Sequence, residues 1–209
     1  GRYGTCSGGQ SERRLLQEQD LLLTYGGTAG ERYRAQNCKV LTKDSLMECD
    51  APPGTGGGHR FVVDVLGQAS PLSIATVSYI PPVLTSVSGT GTKEASTRGG
   101  QTIMLVGNYF GPSGGSDATT STIQLEYYYT TYKDVVLDVN TTVQQVDVET
   151  QFQARNCVWK SQTTAECESS EGYGSSLSYL MKVDNQPSRR RKLNGSYAAP
   201  AIYSVTNLD

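Results

Sequence analysis

Short apolar runs alternate along this chain with clusters of Gly, Ser, Thr, Asn and Pro, and the runs carry period-two patterning. Pro81-Pro82-Val83-Leu84-Thr85-Ser86-Val87 reads as a strand whose prolines suit a sheet edge. Gly99-Gly100-Gln101-Thr102-Ile103-Met104-Leu105-Val106-Gly107 reads as a buried or half-buried strand bounded by glycines, and Asn108 to Pro112 turns the chain. Residues 123–129 alternate partly and are rich in Tyr. Over 135–148, Val135, Leu137 and Val139, then Val143, Val146 and Val148, predict an extra hairpin with Asn140 at its tip. Residues 152–159, 163–167, 177–183 and 193–197 complete a set of about eight or nine short strands. Upstream, the same reading places strands at 20–25, 33–40, 45–49, 60–66 and 73–79. No segment shows a helical period, and turn residues recur about every eight to twelve positions, so the expectation is an all-β chain of β-sandwiches.

The pattern also repeats. Ala35-Gln36-Asn37-Cys38 returns as Ala154-Arg155-Asn156-Cys157, Glu48-Cys49 as Glu166-Cys167, and Ser78-Tyr79 as Ser196-Tyr197, each of the last pair shortly before a Pro. The offset is 119 residues between Cys38 and Cys157, and 118 both between Cys49 and Cys167 and between Tyr79 and Tyr197. A near-constant offset of that size predicts tandem copies of one domain. Residues 1–80 are expected to form one copy lacking its first strands, because 1–19 supply no counterpart of the Gly-Gly-Gln-Thr-Ile strand. Residues 81–199 then form a complete copy with the inserted hairpin. Pro200-Ala201-Ile202-Tyr203-Ser204-Val205 repeats the Pro82 to Val87 opening, so 200–209 is expected to be the first strand of a third copy. This register suits an excerpt of a longer array, or missing strands supplied by a neighbouring chain. Tyr79-Ile80 runs straight into Pro81-Pro82, a short joint that predicts a stiff rod.

Composition narrows the function. Thirteen Tyr against three Phe and one Trp place the aromatic bulk in side chains that bury a ring while keeping a hydroxyl wet. No apolar run approaches the roughly 20 residues of a membrane span. The formal net charge of −2 lacks the basic bias of a nucleic-acid binder. The one basic cluster, Arg189-Arg190-Arg191-Lys192, is read as a solvated hairpin tip, with a polyanion contact or a processing site as the alternatives. Cys38 and Cys49, like Cys157 and Cys167, flank a short segment with a central turn signal, which suits a disulfide across a hairpin. Zinc is disfavoured because His59 is the only His, whereas buried free cysteines remain the rival. Cys6 is left over. Asn140-Thr141-Thr142 and Asn194-Gly195-Ser196 are glycosylation triplets, and with disulfides they favour an extracellular setting.

In order, these motifs resemble the IPT/TIG family, the immunoglobulin-like fold shared by plexins and certain transcription factors. The resemblance rests on Pro82 to Val87, Gly99 to Leu105, Gly107-x-x-Phe110-Gly111 and the cysteine hairpin of Cys157 and Cys167. In the first copy it rests on Cys38-Lys39-Val40, on Cys49 with Pro52-Pro53-Gly54, and on Val63-Asp64-Val65. The second copy departs from the pattern: Cys157-Val158-Trp159 shifts the Val by one place, and no Pro-Pro follows Cys167. The resemblance implies tandem immunoglobulin-like sandwiches.

No nucleophile elbow, phosphate-binding loop or carboxylate pair is evident, so an enzyme is not expected, and no cofactor or metal site is predicted. A DNA-binding role, known among the family's transcription factors, would call for a basic surface and reduced cysteines. Two extracellular readings remain: a glycosylated rod or fibre acting in structure or adhesion, or a receptor ectodomain for a protein or carbohydrate. Expected partners are neighbouring copies of the domain, covalent glycans and cell-surface protein or carbohydrate, without nucleic acid or membrane insertion. Along Tyr127-Tyr128-Tyr129 and Tyr132 alternate rings face opposite ways, so Tyr128 and Tyr132 are the candidates for an exposed contact.

Overall fold

The computed structural model describes residues 21–112, 122–136 and 143–205. It is all β, without a helix among the described residues, and divides into two units, 1–52 with 59–76 and 53–58 with 77–209. The division falls inside the stretch expected as the last strand of the first copy, and the glycine-rich segment 53–58 is counted with the second unit rather than the first.

In the first unit the strands are β1 (Leu21–Tyr25), β2 (Tyr33–Arg34), β3 (Gln36–Thr42), β4 (Leu46–Asp50), β5 (His59–Val65) and β6 (Gln68–Ala69), with β7 (Thr76–Val77) at its boundary. β1 lies between β2 and β5, β6 and β7 pair with β5, and β3 and β4 form a separate two-stranded sheet. The core is small: Leu21, Tyr25, Tyr33, Ala35, Cys38 and His59 are buried, and Tyr25 packs at 5.3 Å from Tyr33 and 5.4 Å from Phe61. The strand expected over 73–79 shrinks to Thr76–Val77, because Ser73 takes the ladder's place. Its hydroxyl accepts from the Phe61 N–H at 2.9 Å while its own N–H donates to the Phe61 carbonyl.

The second unit continues with β8 (Val83–Ser88), β9 (Thr102–Asn108), β10 (Ile123–Val136), β11 (Val143–Gln153), β12 (Arg155–Trp159), β13 (Thr164–Glu168), β14 (Ser175–Val183), β15 (Gln186–Pro187) and β16 (Arg191–Ser196). A five-stranded sheet runs β11-β10-β14-β15 with β16 also on β14, and a four-stranded sheet runs β12-β13-β9-β8. The two sheets form a sandwich, since one core takes Leu84, Ile103, Leu105, Ala165 and Cys167 from one sheet and Leu125, Tyr127, Leu177, Tyr179, Met181 and Val183 from the other. Strand β9 shows why it is central. Ile103, Leu105 and Gly107 are buried while Met104, Val106 and Asn108 are exposed, the period-two pattern of a one-sided strand. The Gly-x-x-Phe-Gly motif has a packing reason. A Cβ on Gly107 would sit 1.9 Å from the Val83 carbonyl oxygen and 2.7 Å from the fully buried Phe110 ring.

Two long strands replace several short ones. β10 and β11 pair from Glu126↔Gln153 to Val136↔Val143 as a hairpin arm. The strand expected over 152–159 is two strands in different sheets. The chain crosses between them at buried Ala154, whose N–H donates to the Leu125 carbonyl at 2.9 Å. Residues 201–205, expected to begin a third domain, form no strand and are exposed, because a strand needs a neighbour to bond and the described residues offer none there.

The repeat seen in the sequence recurs as geometry. Ala35 N–H donates to the Leu23 carbonyl just as Ala154 donates to Leu125, both at 2.9 Å. Ser70 accepts from Val63 N–H at 3.0 Å and donates its own N–H to the Val63 carbonyl, and Ser188 does the same to Met181 at the same 3.0 Å. The turns Leu66-Gly67 and Asp184-Asn185 both have two residues at positive φ, the signature of a tight hairpin.

Candidate functional site

The cysteine hairpins are the first shared site. Cys38–Cys49 and Cys157–Cys167 are bonded, with S–S distances of 2.12 and 2.02 Å. In each, the Asn before the first Cys, Asn37 or Asn156, sits at positive φ, a conformation Asn tolerates better than most residues. Its amide then donates to the carboxylate after the second Cys: Asn37 to Asp50 at 2.7 Å and Asn156 to Glu168 at 2.8 Å. The register shifts at this Asn in both units, between Gln36 and Lys39 and between Arg155 and Val158, so one bulge geometry is built twice. Two disulfides indicate an oxidising, extracellular-type environment. Among the described residues no helix is long and apolar enough to cross a membrane.

Of the two glycosylation triplets, Asn140 falls outside the described residues. Asn194 is exposed at positive φ. It belongs to an irregularity in β16, where Leu177↔Gly195 is followed by Ser178↔Lys192, so that Leu193 and Asn194 are extra residues of a bulge, Leu193 packing against the core and Asn194 exposed. Gly195 behind it is held in place, since a Cβ there would lie 1.9 Å from the Tyr179 hydroxyl. The side-chain amide of Asn194 therefore faces solvent from a fixed backbone.

Tyr128 and Tyr132 part company. Tyr132 is 67% exposed. Tyr128, expected to present a free ring, is half-buried, and the Arg190 guanidinium lies 3.8 Å over its ring centre. Stacking of that cation on the ring, not solvent, covers the face that a ligand would have used. Arg190 is in turn forked to Glu149 at 3.0 and 3.1 Å and donates from Nε to the Ser178 hydroxyl at 2.8 Å. The Tyr128 hydroxyl donates to Glu126 at 2.6 Å, and Lys182 pairs with the other oxygen of that carboxylate at 2.5 Å. Burial first, and then the bond to Glu126, push the Tyr128 hydroxyl up to about 12. For Glu126, burial acts upward, but the Lys182 and Tyr128 donors and the Lys182 charge together hold the carboxyl below its ordinary value.

The core carries a second tyrosine network. Tyr127 Oη is shared with the Ser170 hydroxyl at 2.7 Å and the Tyr197 hydroxyl at 2.8 Å, and accepts from the Ser170 N–H at 2.9 Å. Tyr197 donates to the Ser170 carbonyl at 2.8 Å. Burial raises the Tyr197 hydroxyl, with the bond to Tyr127 adding to it, and burial also raises that of Tyr179. The Tyr179 hydroxyl is buried with no hydrogen-bond partner among the described residues.

The basic run is not a hairpin tip. The tip is Asp184-Asn185, and residues 189–192 lead into and begin β16. Buried Ser188 fastens the approach to β14, Arg190 is pinned as above, and an Arg191 Nη1 donates to the Leu84 carbonyl at 3.3 Å. Together with Val83 and Leu84 of β8, residues 189–192 line a groove of about 530 Å³. The Asp-Asn pair between Val183 and Gln186 was the sequence signal for the true turn, and reading it would have moved the cations off the tip.

No family model matches this chain, and no curated protein or solved structure matches it either.

Proposed function

We propose that the chain is part of a non-catalytic extracellular array of immunoglobulin-like domains of the IPT/TIG type, acting as a glycosylated structural or adhesive component of a fibre. The observation that carries this reading is the disulfide-closed hairpin made twice, with the same Asn bulge and the same Asn-to-carboxylate bond. A hairpin conserved in detail between two copies within one chain suits a module used in series, where each copy is a spacer and its outer surface is the functional part. Disulfides place such a module in an oxidising compartment, where an exposed Asn194 on a fixed bulge is open to N-glycosylation.

The test is to isolate the protein from its source without reductant. Its native size is then measured, along with the mass of the Asn194 peptide before and after enzymatic deglycosylation. The reading expects a particle much larger than one chain and a glycan on Asn194 that the enzyme removes. A monomeric particle with a bare Asn194 would overturn it.

A further inference from the structure

We infer that the groove lined by Val83, Leu84 and residues 189–192 is a binding site for a linear anionic polysaccharide. The chain as a whole is weakly acidic at −2, yet four consecutive cationic residues line this one groove. They are not equivalent. Arg190 is neutralised by its two-pronged pairing with Glu149 and is spent on Tyr128 and Ser178, so it acts as the peg that fixes the run. Arg191 reaches a backbone carbonyl and, among the described residues, no acid. Arg189 and Lys192 are exposed, and among the described residues neither pairs with a carboxylate. Among the described residues, three positive charges thus remain without a counter-charge beside a pinned backbone.

The shape points the same way. β8 is the outer strand of the four-stranded sheet, and β16 lies on β14 away from β10 in the other. The groove therefore lies at the side of the sandwich, where β8 of one sheet faces the start of β16 of the other. A polyanion laid there would shed its condensed counterions into solvent as the three cations took their place, and Arg189 and Arg191 could take carboxylate or sulfate oxygens in pairs. A held backbone reduces the ordering cost that makes a floppy basic tail a poor specific binder. A polysaccharide is favoured over nucleic acid by the two disulfides, so this choice rests on the extracellular reading proposed above. The same pinning argues against the run as a processing site, because a protease needs an extended, unbonded segment and this one is bonded to β14, Glu149 and Leu84.

The experiment uses the whole, disulfide-intact chain and measures its affinity at low salt for heparin, for polygalacturonate and for a DNA duplex. Wild type is expected to bind heparin or polygalacturonate, and the two arms tell sulfate from carboxylate as the group recognised. The double variant R189S/K192S should bind about tenfold or more weakly, with the slope of log affinity against log salt reduced by about two. The double variant K39S/K43S removes the same charge from exposed positions of the first unit and should bind as wild type does. An unchanged Trp159 unfolding midpoint in R189S/K192S shows that the fold is intact. The inference is overturned if wild type binds neither polysaccharide, if R189S/K192S binds as tightly as wild type, or if both double variants lose affinity equally. Tighter binding to DNA than to either polysaccharide overturns the choice of ligand. Failure here leaves the glycan on Asn194 and the native size untouched, so it is distinguishable from failure of the proposed function.

Discussion

The same disulfide hairpin sits in two different surroundings. In the second unit, the far edge of β13 pairs with β9 from Thr164↔Val106 to Glu168↔Thr102, and β8 continues the sheet beyond it. Ala165 and Cys167 are consequently 0% and 1% exposed. In the first unit, β3 and β4 stand as a two-stranded sheet among the described residues, and the corresponding Met47 and Cys49 are only half-buried while Leu46 is 54% exposed. The buried member of the bond also switches: Cys167 is dry and Cys157 half-buried in one, Cys38 is dry and Cys49 half-buried in the other. The covalent link and its bulge are thus local properties of the hairpin, whereas in the second unit its burial is supplied by β8 and β9.

That contrast can be broken most forcefully in β9. L105A empties a fully buried position shared by both sheets and should destabilise the second unit by about 3 kcal/mol, whereas M47A, at a half-buried position, should cost roughly 1 kcal/mol or less. The chain's one Trp, Trp159, packs against the core of the second unit, so its fluorescence during urea unfolding reports L105A there, while far-ultraviolet circular dichroism, which sees both units, reports M47A. An equal shift for both variants would mean that β9 does not close the core as described.

A subtler comparison uses the tyrosines. Y127F removes the hub on which the Ser170 N–H and the Tyr197 hydroxyl depend, and should cost about 1–3 kcal/mol. Y179F removes a buried hydroxyl that has no partner among the described residues, and installs the residue that the first unit already has at the matching place, Phe61. It should be neutral or stabilising by up to about 1 kcal/mol. Opposite signs in the same urea experiment support the network, and a large loss for Y179F would contradict it.

A pH dependence is expected in alkali. Tyr128 is held protonated to about 12, and burial raises Tyr179 and Tyr197 as well. An unfolded Tyr titrates near 10. Below that value both states keep the proton and the stabilisation is present in full. Above it the unfolded chain releases protons that the folded chain retains, so stability falls as pH rises from about 10 towards 12. The Trp159-reported midpoint should drop over that window, and Y128F should make the drop shallower. A flat profile would show that these hydroxyls are solvated.

Much of the architecture was legible because its cause is local. Period-two alternation in Ile103, Leu105 and their exposed neighbours marks β9, and turn residues mark most strand ends. The cysteine pairing followed from spacing across a turn. What was not legible depends on partners distant in sequence. The exit of the chain from one sheet to the other at Ala154 requires the Leu125 carbonyl, so 152–159 read as one strand. Tyr128 reads as exposed by alternation until Arg190, far along the chain, covers it. The basic run reads as a tip until Ser188 and Glu149 are seen to hold it. Residues 201–205 read as a strand on pattern, but pattern alone does not provide a neighbouring strand to bond.

The central claim is that this chain carries the same disulfide-closed hairpin twice and belongs to an oxidising compartment. It is tested most directly by peptide mapping of the native protein, alkylated in denaturant and digested without reduction. The account predicts two linked peptides, one joining Cys38 to Cys49 and one joining Cys157 to Cys167, with none of these four thiols alkylated. Four alkylated thiols, or a bond running from the first pair to the second, would contradict it.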